Sequence, residues 1–148
     1  MGEVEFDPTR DYPLGLRRPE LVTTPAGLRQ SDVTLDALRG GRLDPDDIRA
    51  TADTIRRQAA VALAAGRTQL AENLMRAAEL ATVPADVVLD AYTALRPRRS
   101  TAAELESLAD RLEVEFVAPR TAAFIREALA VYAQRGLLAL GERSPAQI

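Results

Sequence analysis

The sequence is most distinctive for the residue types that it lacks. Among its 148 residues there is no histidine, cysteine or tryptophan, and all 19 cationic side chains are arginine, so lysine is absent too. Without histidine, no side chain titrates near neutral pH in its ordinary environment. Without cysteine or lysine, the chain has no thiolate nucleophile, disulfide, iron–sulfur ligand or Schiff base. These absences exclude zinc sites built from cysteine or histidine and favour a protein that acts by binding.

Aromatic residues and long apolar runs are also scarce. Only 4% of the residues are aromatic although 47% are hydrophobic, so alanine, leucine and valine supply the apolar mass and favour helices. No segment approaches the roughly 18 uninterrupted apolar residues of a membrane span, and the acidic residues 1–10 are not a signal peptide. A net charge of −3 argues against a nucleic-acid partner. With the missing cysteines, these features predict a cytoplasmic protein without a membrane partner.

Residues 1–31 are rich in proline and carry no helical pattern. Each proline fixes its own φ and pushes the preceding residue towards an extended conformation, so we predict an extended N-terminal arm. The arm is more apolar than a solvated tail needs, which indicates that it lies on a surface of this chain or of a partner. The prolines are Pro8, Pro13, Pro19 and Pro25, and the apolar side chains are Phe6, Tyr12, Leu14, Leu16, Leu21 and Val22.

The rest of the chain carries helix signals. Capping residues such as Thr34, Thr51 and the Thr101–Glu104 pair precede apolar residues at helical spacing, and glycine or proline ends each segment. We predict an all-α domain over residues 32–138 with about five amphipathic helices, followed by a C-terminal tail over 139–148. The predicted helices cover residues 35–39, 52–65, 67–81, 85–95, 102–116 and 120–135.

The apolar positions of these helices predict the core. The predicted core positions are Ile55, Ala59, Ala62, Leu63, Leu70, Leu74, Ala77, Ala78, Ala81, Val88, Ala91, Tyr92, Leu95, Leu105, Leu108, Ala109, Leu112, Phe116, Phe124, Ile125, Ala128, Leu129 and Tyr132. The acidic run Asp44, Asp46 and Asp47 lacks the glycine and glutamate of a calcium loop, so helix capping is the better interpretation.

Three arginines surround Pro97 in the connection between two predicted helices. Arg96, Arg98 and Arg99 are suited to a phosphate, a nucleic-acid backbone or carboxylates. No aromatic residue interleaves them and their neighbours are acidic, which favours salt bridges within the chain or with a partner protein. The shorter pairs Arg17–Arg18 and Arg56–Arg57 are predicted to lie on solvated faces.

The order of these features resembles the small (gamma) subunit of adenosylcobalamin-dependent diol and glycerol dehydratases. The similarity covers about residues 11–138. It depends on a collinear set of short stretches, among them Asp11-Tyr12-Pro13-Leu14, Thr54-Ile55-Arg56-Arg57-Gln58-Ala59, Ala65-Gly66-Arg67-Thr68-Gln69-Leu70-Ala71, Ala94-Leu95-Arg96-Pro97 and Ala123-Phe124-Ile125-Arg126-Glu127-Ala128. Arg98 departs from the family pattern, which implies a tyrosine at this position.

The resemblance implies a non-catalytic subunit of a hydro-lyase. In such enzymes large (alpha), medium (beta) and small subunits form a dimer of heterotrimers, which converts 1,2-propanediol, glycerol or 1,2-ethanediol into an aldehyde and water. The resemblance implies that adenosylcobalamin and a metal ion are held by the other subunits, and that this chain binds neither cofactor and stabilises the complex on the large subunit. Our interface hypothesis comprises Tyr12, Pro13 and Leu14 of the arm with Arg96, Pro97 and Arg99 of the arginine loop.

Two further expectations concern location and class. Relatives housed in bacterial microcompartments often carry an extra amphipathic N-terminal segment. Only ten residues precede Asp11 here, so we expect a free cytoplasmic enzyme unless another subunit carries the targeting segment. The alternative function is a non-enzymatic helical adaptor or regulatory protein that uses the arginine loop on an acidic partner.

Overall fold

Five helices of ten or more residues carry the fold. The computed structural model describes residues 6–140, and within them it confirms the predicted all-α class, with a single isolated bridge between Thr23 and Arg29 as the only β pairing. The long helices are α3 (Ala52–Ala64), α4 (Thr68–Leu80), α5 (Ala85–Ala94), α6 (Ala102–Val114) and α7 (Pro119–Arg135), and the short ones are α1 (Leu14–Arg17) and α2 (Leu35–Arg39). Single turns of 3₁₀-helix cover Pro19–Leu21, Gln30–Asp32 and Pro45–Ile48.

The described residues divide into two compact units, with the division after Ala81. In the first unit, α3 and α4 pack against each other across a short connection in which Gly66 takes a φ of 72°. The buried residues of this pair are alanines, namely Ala59, Ala62, Ala71 and Ala78. Small side chains let two helices approach closely, so the larger aliphatic residues lie further out.

This packing corrects several predicted core positions. Leu63 and Leu70 are 59% and 43% exposed, and Ala77 and Ala81 are exposed as well. The apolar spacing correctly predicts the helices and the burial of Ala59, Ala62 and Ala78, but the leucines at the edge of each predicted face lie outside the contact between α3 and α4. Spacing alone does not distinguish the centre of a face from its edge, because both repeat at the helical period.

The predicted arm is not extended throughout. It contains α1 and two 3₁₀ turns, because local hydrogen bonds close the chain after each proline, and it buries Leu14 and Leu21. The Arg57 guanidinium donates a 2.8 Å hydrogen bond from Nη1 to the carbonyl oxygen of Leu21, which fastens the arm to α3. The arm therefore lies on this chain's own first unit. The boundary at residue 31 stays a prediction.

A buried carboxylate organises the start of the arm. Asp11 is 3% exposed and accepts hydrogen bonds from Arg10 Nε at 2.8 Å, Arg18 Nη1 at 2.6 Å and the backbone N–H of Asp7 at 3.0 Å. The bond from Arg10, then the bond from Asp7 and the charges of both arginines lower the pKa of Asp11. The prediction of solvated faces is therefore wrong for Arg18 and Arg57, whose guanidinium groups each hold part of the arm.

The second unit is centred on α6 and α7. Leu105, Ala109 and Leu112 of α6 have no exposed surface, and Ile125 of α7 has 1%. The capping box predicted for Thr101 and Glu104 is confirmed. The prediction of a core role is confirmed for Leu112, whereas Leu108 is half-buried, since it lies one position away from the buried stripe.

Arg126 of α7 adds an ionic clasp to this helix pair. Its three guanidinium nitrogens meet Glu106, Glu113 and Asp110 of α6 at 2.8, 2.7 and 2.6 Å. These carboxylates, Glu106 first, raise the pKa of Arg126, so the guanidinium is charged at every accessible pH. These ion pairs link α7 to three successive turns of α6.

The aromatic residues of the second unit differ from the prediction. Tyr92 is 65% exposed and Phe124 is 43% exposed, so neither is a core residue. Tyr132 is half-buried and donates a 2.6 Å hydrogen bond to the carbonyl oxygen of Leu95, which joins α7 to the end of α5. Of the predicted tail, Ala139 bonds through its N–H to the Ser100 carbonyl oxygen at 2.8 Å, whereas residues 141–148 lie outside the described part.

The burial difference in α6 generates a stability prediction. Replacing Leu112, which is fully buried, by alanine should destabilise the chain by about 2–5 kcal/mol, because it removes buried methyl groups and leaves a cavity. Leu108→Ala should cost clearly less, since its side chain is half-buried. Urea unfolding monitored by circular dichroism measures both, and equal losses would contradict the packing described for α6.

The Asp11 cluster generates a pH prediction. Because the folded pKa lies below the unfolded value of about 3.9, the stabilisation is present at neutral pH and is lost as pH falls through the folded pKa. Asp11→Asn should therefore lower the unfolding temperature at pH 7, and the difference from the wild type should shrink as pH falls below about 4. Asp36→Asn, whose side chain is 89% exposed, is the matched control and should change little. A deficit of Asp11→Asn that is constant with pH would contradict an ionic role.

Candidate functional site

The first predicted surface patch lies on the arm. Tyr12 is 57% exposed and Pro13 is exposed, but Leu14 is buried within this chain. The neighbouring Asp11 anchors this segment from inside, and Arg17 Nη1 donates a 2.6 Å hydrogen bond to the Arg10 carbonyl oxygen. The fold thus presents Tyr12 and Pro13 outwards and uses Leu14 to hold them in place.

A groove of about 740 Å³ adjoins this patch in the first unit. It lies between the arm and the helices α3 and α4, and its lining is mainly apolar. Its walls include Tyr12, Leu14, Val22, Val61, Leu70 and Leu74. Sequence reasoning missed this groove, because it forms only when the arm folds back beside α3.

The second predicted patch is the arginine loop between α5 and α6. Arg98 adopts a left-handed backbone with φ 61°, and its N–H donates a 2.6 Å hydrogen bond to the Leu137 carbonyl oxygen. The N–H of Arg99 donates to the carbonyl oxygen of Arg96 at 3.1 Å. The backbone of the loop is therefore held on both sides, while the side chains of Arg96, Pro97, Arg98 and Arg99 are exposed.

Tyr92 joins this second patch. The guanidinium carbon of Arg96 lies 5.6 Å from the centre of the Tyr92 ring, within cation–π range. The apolar spacing of α5 places both Ala91 and Tyr92 on the inner stripe, but the structure buries Ala91 with Val87 and leaves Tyr92 exposed. The sequence feature that indicates an exposed Tyr92 is Arg96, which follows four residues later and therefore lies on the same side of the helix.

Several acidic side chains that sequence analysis singles out serve local structure. Asp44 accepts the N–H of Asp46 at 2.9 Å and Asp47 accepts the N–H of Asp44 at 2.8 Å, which confirms the capping interpretation of this run. Glu104 accepts the N–H of Thr101 at 2.8 Å, and this bond, the Thr101 hydroxyl and the charge of Arg99 lower its pKa. The lowered pKa keeps Glu104 ionised at neutral pH, and all three carboxylates stabilise helix starts.

Polar side chains in the described part of the chain are engaged in local structure. Throughout residues 6–140 every buried side-chain nitrogen or oxygen has a hydrogen-bond partner, and no group of three acidic side chains gathers as a metal site. None of the helices in this range combines the length and the apolar character that a membrane crossing requires. What the arrangement offers is two exposed patches on rigid supports, the arm patch (Tyr12, Pro13) and the arginine loop (96–99).

Comparison with known proteins places the chain in a family. The family model described as "Dehydratase small subunit" matches residues 8–139. The propanediol dehydratase small subunit of Citrobacter freundii is 46% identical over 125 residues, which cover 84% of this chain and 73% of that protein. The same subunit from Salmonella typhimurium is also 46% identical over 125 residues, with 72% of its length covered. The family match and this level of identity show that the chain belongs to the dehydratase small-subunit family and is a subunit of a hydro-lyase.

Proposed function

We propose that the chain is the non-catalytic small subunit of an adenosylcobalamin-dependent diol dehydratase, and that it stabilises the complex by binding the large subunit. The observation that carries this proposal is the 46% identity to two small subunits whose names specify propanediol dehydratase. We take 1,2-propanediol as the substrate of the complex, with glycerol and 1,2-ethanediol as further substrates. The alternative of a free-standing helical adaptor has no support, since the family is one of enzyme subunits.

The residues of this chain do not fit the cofactors of such an enzyme. It has no histidine to offer cobalt, and among residues 6–140 no cluster of carboxylates is placed for a metal ion. The carboxylates that are well ordered by hydrogen bonds already cap helices or pair with arginines, as Asp47 and Asp11 do. We therefore assign adenosylcobalamin and the metal ion to the other subunits, and we derive no chemical step for this chain.

The exposed arm patch and arginine loop support a role in binding other subunits. We propose that the partners are a large and a medium subunit in a dimer of heterotrimers, located in the cytoplasm. The proposed contacts are Tyr12 and Pro13 of the arm with Arg96, Pro97 and Arg99 of the arginine loop. Leu14, which our hypothesis also includes, is buried in this chain and supports the contact from beneath.

The proposal predicts that activity requires the complex. The chain purified alone should neither bind adenosylcobalamin nor dehydrate 1,2-propanediol, because it lacks the residues for both. Co-expressed with the large and medium subunits of a diol dehydratase from the same source, the chain should co-purify with both, and the complex should show corrin absorbance and turnover. The two larger subunits expressed without it are the matched control and should lose activity faster on dilution.

Two results would contradict the proposal. Turnover of 1,2-propanediol by the isolated chain would show that it is catalytic. Failure to co-purify with the larger subunits, while the chain is folded by circular dichroism, would show that it is not their partner.

A further inference from the structure

Two large apolar side chains are exposed on the outer face of α5. Leu89 is 63% exposed and Tyr92 is 65% exposed, while Val87 and Ala91 of the same helix are buried. Leu89 and Tyr92 are three residues apart, so they lie side by side along the helix. Arg96 extends this row, because its guanidinium covers the Tyr92 ring. We call Leu89, Tyr92 and Arg96 the α5 stripe.

In the part of the chain that the structure describes, the arginines beside this stripe have no ion-pair partner. Within the described residues none of the guanidinium groups of Arg96, Arg98 and Arg99 forms an ion pair, although Asp86 and Asp90 lie on α5 itself. Arginines elsewhere, such as Arg126, do meet carboxylates. The loop backbone is held by the bond from the Arg98 N–H to Leu137, so the three arginines extend from a held loop that directly follows the end of α5.

The composition of this surface is that of an interface centre. Tyrosine and arginine are the residues most often found to dominate binding energies, and a tyrosine under a guanidinium is a preorganised anchor. The exposed Leu89 beside them adds apolar surface, and burying that surface against a partner is favourable in free energy. The surface thus combines an apolar anchor with an unpaired positive cluster, and its complement is an apolar side chain flanked by carboxylates.

We propose that the α5 stripe, together with Arg98 and Arg99, is the docking surface for an acidic segment of a larger dehydratase subunit. This inference rests on the proposed function and names the part of the chain that carries it. A phosphate backbone does not supply the apolar contact that Leu89 and Tyr92 require. A second copy of this chain would bring the same three arginines towards each other in a symmetric pair, which like charges oppose.

The test measures the affinity of variants for the complex of the two larger subunits. The double variant Leu89→Ala, Tyr92→Ala should bind at least about tenfold more weakly, as expected for loss of an interface centre. Its unfolding temperature should match that of the wild type, because both side chains are exposed in the free chain. Leu63→Ala on α3, where the leucine is 59% exposed, is the matched control and should bind like the wild type.

Charge variants test the acidic nature of the partner. Arg96→Glu should weaken binding at least as much as the double variant and should reverse or abolish the salt dependence, since it places a carboxylate against carboxylates. Arg96→Lys retains the charge but loses the planar stacking group, so its loss should be smaller.

Four results would contradict the inference. Wild-type affinity of the double variant would exclude the α5 stripe as the docking surface and leave the proposed function intact. Weak binding that is insensitive to Arg96→Glu would exclude an acidic partner segment. A variant that loses only self-association, measured by light scattering, would assign the stripe to a second copy. A folded wild-type chain that does not bind the larger subunits would overturn both this inference and the proposed function.

Discussion

The packing of α6 against α7 is the interaction on which the second unit depends. Leu105, Leu112 and Ile125 are buried between small residues, and Arg126 ties the two helices through three carboxylates. Burial of aliphatic side chains supplies most of the free energy, and the partly exposed ion pairs of Arg126 add a smaller share. The loop before α6 is held by the segment after α7 through the bond from the Arg98 N–H to the Leu137 carbonyl oxygen, and Arg96 in this loop lies over Tyr92 of α5.

In the first unit the packed helices bury less apolar area, and the N-terminal arm contributes further buried side chains. The helices α3 and α4 meet through alanines, which bury little apolar area each. The arm adds what the helix pair lacks, since it buries Leu14 and Leu21 and is fastened by Arg57 and by the Asp11 ion pairs. Many large apolar residues of the chain stay exposed, and among them Leu89 and Tyr92 stand out because they are neighbours on α5 and Tyr92 is stacked against Arg96.

The sequence predicts the helices well and their faces less well. Caps and breakers are local, so Thr51, Thr101 and Gly136 define helix ends that the structure reproduces. Which stripe of a helix is buried depends on the element that packs against it, and residue spacing does not reveal that element. The spacing therefore places Tyr92 in the core, where it is not found, and omits Ala71, which is buried. The roles of Arg18 and Arg57 also depend on the folded arm. Of the candidate surface, the arginine loop is predictable from sequence, whereas the α5 stripe becomes visible only in three dimensions.

The central claim is that this subunit acts by contact and that α5 provides the contact. Hydroxyl-radical footprinting with mass spectrometry tests it directly, because it reports the solvent exposure of individual side chains in the intact, unmodified complex. The account predicts that Leu89 and Tyr92 are oxidised in the free chain and protected after assembly with the larger subunits, while Leu63 is oxidised equally in both. Equal oxidation of Leu89 and Tyr92 in the free and assembled chain would contradict it.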